Sequence, residues 1–123
     1  MAAEASGAPG VPEAPGASAG TGLVTVRAAI APAVVTLTVS GDLDAATMSV
    51  LSQRLAQVAA RRPGRLVFDL AQVTFIDCAA TRLIASAASI LPAGARPVIR
   101  HPSPAVRRIL DLTDIAAACD LDP

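Results

Sequence analysis

The sequence predicts a single α/β domain, in which a mixed sheet of four to five strands carries helices chiefly on one face. Three observations support this fold class. The chain has 123 residues, a length suited to one hydrophobic core. Two β-branched runs separated by a short segment come first, which is typical of a β-hairpin. Short apolar runs then alternate with longer amphipathic patterns, which predicts strand-helix units and a parallel section of sheet.

Composition narrows the classes of function. The chain is 53% hydrophobic but only 2% aromatic, so aliphatic and alanine side chains must build its core. Its net charge is zero, and its ten basic residues are all arginines without a dense patch, so no nucleic-acid partner is predicted. No run approaches the roughly 20 apolar residues of a membrane span, and the first residues lack the features of a signal peptide. We therefore expect a cytoplasmic protein with no membrane partner.

The chain divides into a tail and one domain. Residues 1–20 are mainly Ala, Gly, Pro, Ser and Glu, with almost no large apolar side chain. Such a segment cannot repay the entropy of ordering it. We therefore predict a disordered N-terminal tail, followed by the folded domain over residues 21–123.

The spacing of apolar residues predicts the order β-β-α-β-α-β-α. In the hairpin, Val35 and Leu37 alternate with hydroxyl side chains, as expected for a strand with one covered face. The first helix has apolar residues at helical spacing, with Arg54 elsewhere on the wheel. An apolar strand over residues 66–70 is followed by a connection through Gln72, which leads to the second helix.

Several polar residues are assigned structural roles. Asp77 precedes the second helix, where an Asp side chain commonly accepts hydrogen bonds from free backbone N–H groups. Ser103, followed by Pro104, predicts the same role at the third helix. Asp69 lies inside an apolar strand and must face solvent or find a partner. His101 is expected in a turn.

Neither a metal, a cofactor nor a catalytic group is predicted. Cys78 and Cys119 lie far apart in the sequence without CxxC or Cys/His spacing, so a disulfide or zinc site is unsupported. Asp44 and Asp77 both end strands and can converge at one edge of the sheet. No third ligand or basic partner accompanies them, so we do not expect a metal site or an acid-base pair.

Three segments carry a family resemblance. Residues 39–47 contain Gly-Asp-Leu-Asp, similar to a strand ending in Gly-Glu-Leu-Asp before a first helix. Residues 66–77 are similar to a central strand and the acidic residue that opens the next helix, and residues 102–113 to the entry of a final helix. Together they resemble the STAS family, named after sulphate transporters and anti-sigma factor antagonists, over roughly residues 23–121. The resemblance implies a STAS-like fold.

The resemblance also implies a non-enzymatic domain that binds an anti-sigma factor, or a related protein with a serine-kinase fold, and so frees a sigma factor. In phosphoregulated members a serine follows the acidic residue at the helix start, and its phosphorylation by the partner separates the complex. This sequence reads Asp77-Cys78-Ala79-Ala80, with Cys78 in the place of the serine. We therefore predict a binder that a serine kinase cannot switch off, because the phosphate charge is not added.

The predicted partner-binding surface combines the loop after the second strand with the start of the second helix. Its residues are Asp42, Asp44, Asp77, Cys78, Ala79, Thr81 and Arg82. Two alternatives stay open: a scaffold module that pairs with other STAS proteins, and a redox sensor that uses the Cys78 thiol. The start of a helix favours a thiolate, whereas the adjacent carboxylate and any burial oppose it, so we expect an inert thiol.

Overall fold

The computed structural model describes residues 24–31 and 33–122, and the predicted tail over residues 1–20 lies outside them. The strands and helices are β1 (Val24–Ala31), β2 (Val34–Leu43), α1 (Met48–Ala59), β3 (Arg65–Ile76), α2 (Cys78–Ser86), β4 (Val98–Arg100), α3 (Pro104–Leu112) and β5 (Asp120–Asp122). Short 3-10 helices follow α2 at Ala87–Ile90 and α3 at Ile115–Ala117. Within the described ranges, no helix combines the length and apolar character needed to cross a membrane.

The five strands form one mixed sheet in the order β1-β2-β3-β4-β5. The strands β1 and β2 pair in the antiparallel sense, which confirms the predicted hairpin. The pairs β2 with β3, β3 with β4, and β4 with β5 are parallel. The carboxyl ends of β2 and β3 therefore lie side by side, at the edge where open α/β sheets tend to place binding sites.

All three helices pack on the same face of the sheet. Leu37 of β2 and Phe68 of β3 are fully buried, and they share one core cluster with Leu51 of α1, Ile84 of α2 and Leu110 of α3. Successive side chains of a strand point to opposite faces. Because one cluster holds residues from every helix, the helices cover a single face, as the sequence predicts.

The structure corrects three details of the predicted elements. Arg54 is only 6% exposed, because it lies three residues after Leu51 at the border of the buried face of α1; its guanidinium donates to Gln57 Oε1 at 2.8 Å. No connection interrupts the third strand at Gln72, since β3 runs continuously through this residue. The strand β5 was missing from the predicted order, because Asp-Leu-Asp is too short to give a recognisable strand pattern.

Candidate functional site

The loop after β2 and the start of α2, which are predicted to bind a partner, meet at one edge of the sheet. Leu43 at the end of β2 is in register with Ile76 at the end of β3, and both side chains are buried. The Asp77 N–H then donates to the Leu43 carbonyl at 3.0 Å. This bond joins the end of β2 to the start of α2. We call this region the β2–α2 edge, defined by Asp42, Asp44, Phe75, Asp77, Cys78 and Arg82.

The loop between β2 and α1 is held by the buried side chain of Thr47, which is 0% exposed. The Thr47 hydroxyl donates to the Asp42 carbonyl at 2.6 Å and accepts from the Asp44 N–H at 3.1 Å. The Asp44 carboxylate in turn accepts from the N–H groups of Ala46 at 3.0 Å and Thr47 at 3.2 Å. These bonds satisfy backbone donors just before α1, so the position of Asp44 is fixed.

Asp42 faces the end of β3 across an irregularity in the pairing. Between the pairs Gly41–Val73 and Asp42–Phe75, β2 advances by one residue while β3 advances by two. The additional residue, Thr74, donates from its hydroxyl to the Asp42 carboxylate. An extra residue on one strand of a pair is a β-bulge, which bends the strand and redirects its side chains.

A second bulge lies earlier in β3 and accounts for the contacts of the Asp69 side chain. Between the pairs Thr38–Asp69 and Ser40–Gln72, β2 advances by two residues and β3 by three. The Asp69 carboxylate accepts from the N–H of Ala71 at 3.0 Å, inside this irregular stretch. It also lies 3.7 Å from Nδ1 of His101, whose own backbone has a positive φ of 58°. Asp69 therefore has the structural role that the sequence predicts.

The start of α2 presents an exposed cysteine. Asp77 is the N-cap residue, and its carboxylate accepts from the Ala80 N–H at 2.8 Å, as predicted for an Asp at this position. Cys78 follows as the first residue of the helix and is exposed. Arg82 is also exposed, and it lies four residues further on the same side of the helix.

One residue of the predicted surface lies inside the protein instead. Thr81 is 1% exposed, and its hydroxyl donates to the Cys78 carbonyl at 2.7 Å. It cannot contact a partner in this conformation, because it faces the core beside Ala80, which is 0% exposed. Ala79 is partly exposed. The sequence assignment placed Thr81 near the serine position but did not account for the side of α2 on which it falls.

Sequence reasoning missed two residues that shape the edge. Thr47 lies in the segment over residues 39–47 but received no role, although a threonine between a strand end and a helix signals a capping interaction. Phe75 lies in the segment over residues 66–77 but received no role, yet it is 49% exposed. Its rarity could have drawn attention to this residue, since the chain has only two residues of the Phe, Trp and Tyr types. The orientation of its side chain depends on the bulge at Thr74, which no pattern in the sequence predicts.

The thiols differ in environment. Cys119 is 1% exposed, and burial raises the pKa of its thiol to about 11, with the Arg96 charge opposing and the Asp120 charge adding to the shift. Cys78 is exposed, and neither thiol is in a disulfide. Among the described residues, no three His, Cys, Asp or Glu side chains group closely enough to hold a metal ion.

Comparison with known proteins identifies one family model and several solved structures that this chain resembles. The family model described as "Mlab, STAS domain" matches residues 26–121. The crystal structure of an anti-sigma factor antagonist from Mycobacterium paratuberculosis is similar with 30% sequence identity and a TM-score of 0.71, over 81% of this chain and 86% of that chain. None of the curated proteins compared with the chain gave a significant match.

Two further solved structures share the fold at lower identity. The anti-sigma factor antagonist SpoIIAA in its unphosphorylated form has 16% identity and a TM-score of 0.66, over 80% of this chain and 89% of that chain. The Bacillus cell fate determinant SpoIIAA in the phosphorylated form has 14% identity and a TM-score of 0.60, over 80% and 92% respectively. At these identities the likeness supports the fold alone.

Proposed function

Because the chain belongs to the STAS domain family, we propose that it is a non-enzymatic docking domain that binds an anti-sigma factor, or a related serine-kinase-fold protein, and so frees a sigma factor. The observation that carries this proposal is the bond from the Asp77 N–H to the Leu43 carbonyl. This bond joins the end of β2 to the start of α2, the two segments whose sequences resemble the antagonist family. Together they form one surface, the β2–α2 edge. The 30% identity to an anti-sigma factor antagonist supports the same function.

The polar groups of the surface are held in place, as a binding site requires. The carboxylates of Asp44 and Asp77 accept hydrogen bonds from backbone N–H groups, and that of Asp42 from the Thr74 hydroxyl. Groups held in this way give a fixed shape and charge, which is what a docking partner recognises.

The same surface supports a partner interaction that lacks the serine phosphoswitch. Cys78 occupies the position of the serine and offers a thiol in place of the hydroxyl. Thr81, the next hydroxyl along α2, is 1% exposed and already donates to a backbone carbonyl, so a kinase has no access to it. A phosphate would add about −1.5 to −2 charges to the docking surface. Without an acceptor at this position the complex stays intact in the presence of ATP.

Binding is tested with anti-sigma factors encoded in the same genome, by isothermal titration calorimetry. We expect the wild-type protein to bind at least one of them. Asp44→Arg should weaken that binding at least tenfold, because it reverses a charge on the edge and removes the carboxylate that holds the loop before α1. Asp111→Arg is the matched control, because Asp111 is exposed on α3, a helix that contributes no residue to this edge. Binding to other STAS proteins alone would favour a scaffold role, and the absence of any anti-sigma binding contradicts the proposal.

The missing switch is tested separately by mass spectrometry after incubation with the partner and ATP. The wild-type chain should take up no phosphate. Cys78→Ser restores the hydroxyl at an exposed helix start, and its phosphorylation would show that the cysteine alone blocks the reaction. Phosphate on any residue of the wild-type edge, together with release of the partner, contradicts the absence of a switch.

A further inference from the structure

The exposed ring of Phe75 is a feature that the fold itself does not require. The chain has two phenylalanines and no other aromatic residue. Phe68 is 0% exposed in the core, whereas Phe75 is 49% exposed. A half-exposed aromatic ring forgoes much of the free energy that its burial would contribute.

The bulge at Thr74 is what turns this ring outward. Val73 points into the core, so in a regular strand the alternation of side chains would bring residue 75 to the core as well. The extra residue shifts the pattern, and Ile76 is buried in its place at 1% exposure. The hydrogen bond from Thr74 to Asp42 stabilises the bulge. Bulges commonly redirect a side chain beside a functional site.

The outward ring lies within the proposed docking surface. Asp42 is its partner in the β2–β3 register, which places their Cα atoms roughly 5 Å apart. Cys78 follows Phe75 by three residues, so their Cα atoms lie within about 11 Å of each other. The charged groups of the edge are three aspartates and one arginine. The apolar ring thus lies on an edge whose charged residues are mainly acidic.

We propose that Phe75 is the apolar anchor of the β2–α2 edge, and that it inserts into an apolar pocket of the partner whose rim carries basic side chains. This inference rests on the proposed docking function and specifies the chemistry of the partner surface. Aromatic residues dominate binding energy when they fill a pocket near the centre of an interface. The strand pairing holds Phe75 in place before binding, so little conformational freedom is lost on association.

The anchor is tested by Phe75→Ala, with binding to the partner measured by calorimetry. We expect about a 30-fold loss of affinity, the size typical of an interface hot spot. Leu112→Ala is the matched control, because Leu112 is a 75% exposed apolar residue at the end of α3, and it should change affinity less than about twofold. If the wild type binds and Phe75→Ala binds with the same affinity, the proposal that Phe75 is the anchor is wrong, but the proposed docking function is not contradicted. Absence of wild-type binding overturns both.

A second measurement does not depend on whether Phe75→Ala folds. Incorporation of 4-fluorophenylalanine gives one 19F NMR signal for each of the two phenylalanines. The Phe75 signal should shift or broaden on addition of the partner, while the buried Phe68 serves as an internal reference. A Phe75 signal that stays in place in the complex overturns the proposal.

The basic rim is tested by Asp42→Asn, which removes the charge but keeps an oxygen that can accept from Thr74. The variant should bind several-fold more weakly than the wild type at low ionic strength. This difference should fade towards roughly 1 M salt, where charges more than about 3 Å apart are screened. Asp111→Asn should show no such difference. An Asp42→Asn affinity equal to that of the wild type at low salt rules out the basic rim.

Discussion

We expect Cys119 to make the stability of this chain depend on pH in alkaline solution, where the chain has few other titratable side chains. The chain contains no lysine and no tyrosine, and arginine stays protonated beyond this range. Burial raises the pKa of the Cys119 thiol from 9.0 to about 11. The folded state therefore keeps a proton that the unfolded state releases, and stability must fall as the pH rises from about 9 to about 11.

We predict that the free energy of unfolding decreases by roughly 2 kcal/mol across this pH window, measured by urea titration under reducing conditions. Cys119→Ala should start from a lower stability, because it loses packing, but should lack this pH dependence. Cys78→Ala should keep it. If Cys119→Ala loses as much stability between pH 9 and pH 11 as the wild type, the buried thiol is not the cause.

Asp77 contributes to stability as the cap of α2. We expect Asp77→Ala to lower the free energy of unfolding by about 1 kcal/mol, because the Ala80 N–H loses its acceptor. Asp77→Asn should be nearly neutral, since its amide oxygen can accept the same bond. Asp111→Ala, which removes an exposed pair with Arg107, should cost less than about 0.5 kcal/mol. Equal losses for Asp77→Ala and Asp77→Asn would contradict the capping role.

At the scale of elements, regular patterns could be predicted from the sequence and pairing irregularities could not. The alternation around Leu37 and the Ser103-Pro104 cap signal identify β2 and the start of α3, because both depend on local chemistry. The bulges between Asp69 and Gln72 and at Thr74 arise from how β3 pairs with β2. That pairing is a long-range property, so it leaves no local signal in the chain.

The strand β5 pairs with β4, and the side chain of Arg96, which lies outside both strands, contacts its first residue and the segment just before it. The Arg96 guanidinium lies 2.9 Å from the Asp120 carboxylate and donates to the carbonyls of Ala117 at 3.0 Å and Cys119 at 3.1 Å. Two of these acceptors are backbone groups that lie outside any strand. A short segment that depends on a distant side chain cannot be recognised from its own three residues.

We predict that Arg96→Ala increases amide hydrogen exchange over residues 117–122 and lowers the free energy of unfolding by about 1–2 kcal/mol. Arg107→Ala is the matched control, because Arg107 makes an exposed contact within α3. It should leave exchange in the C-terminal strand unchanged. Unchanged exchange at residues 117–122 in Arg96→Ala would show that β5 is anchored by other contacts.

At the scale of the whole molecule, the topology rather than any motif creates the candidate site. Asp44 and Cys78 are distant in sequence, and they could be placed at one edge because parallel strands end on the same side of a sheet. The direction of individual side chains was harder to predict. Thr81 is buried and Phe75 is exposed, since helix phase and a bulge decide these orientations.

The predicted combination of docking and insensitivity to a serine kinase concerns the whole protein. In our proposal, docking depends on the β2–α2 edge and insensitivity to the kinase depends on Cys78 within it. A constitutive antagonist would be controlled by its amount and by the amount of its partner. The release of a sigma factor reports on both properties at once.

The most direct test is to titrate the chain into a complex of labelled sigma factor and its anti-sigma factor, with and without prior incubation in ATP and Mg²⁺. Fluorescence anisotropy reports the sigma factor that is set free. We predict the same midpoint under both conditions, with no phosphate on the chain. A midpoint that rises after incubation with ATP, with phosphate on the chain, or a failure to release the sigma factor at any concentration, would contradict the proposed function.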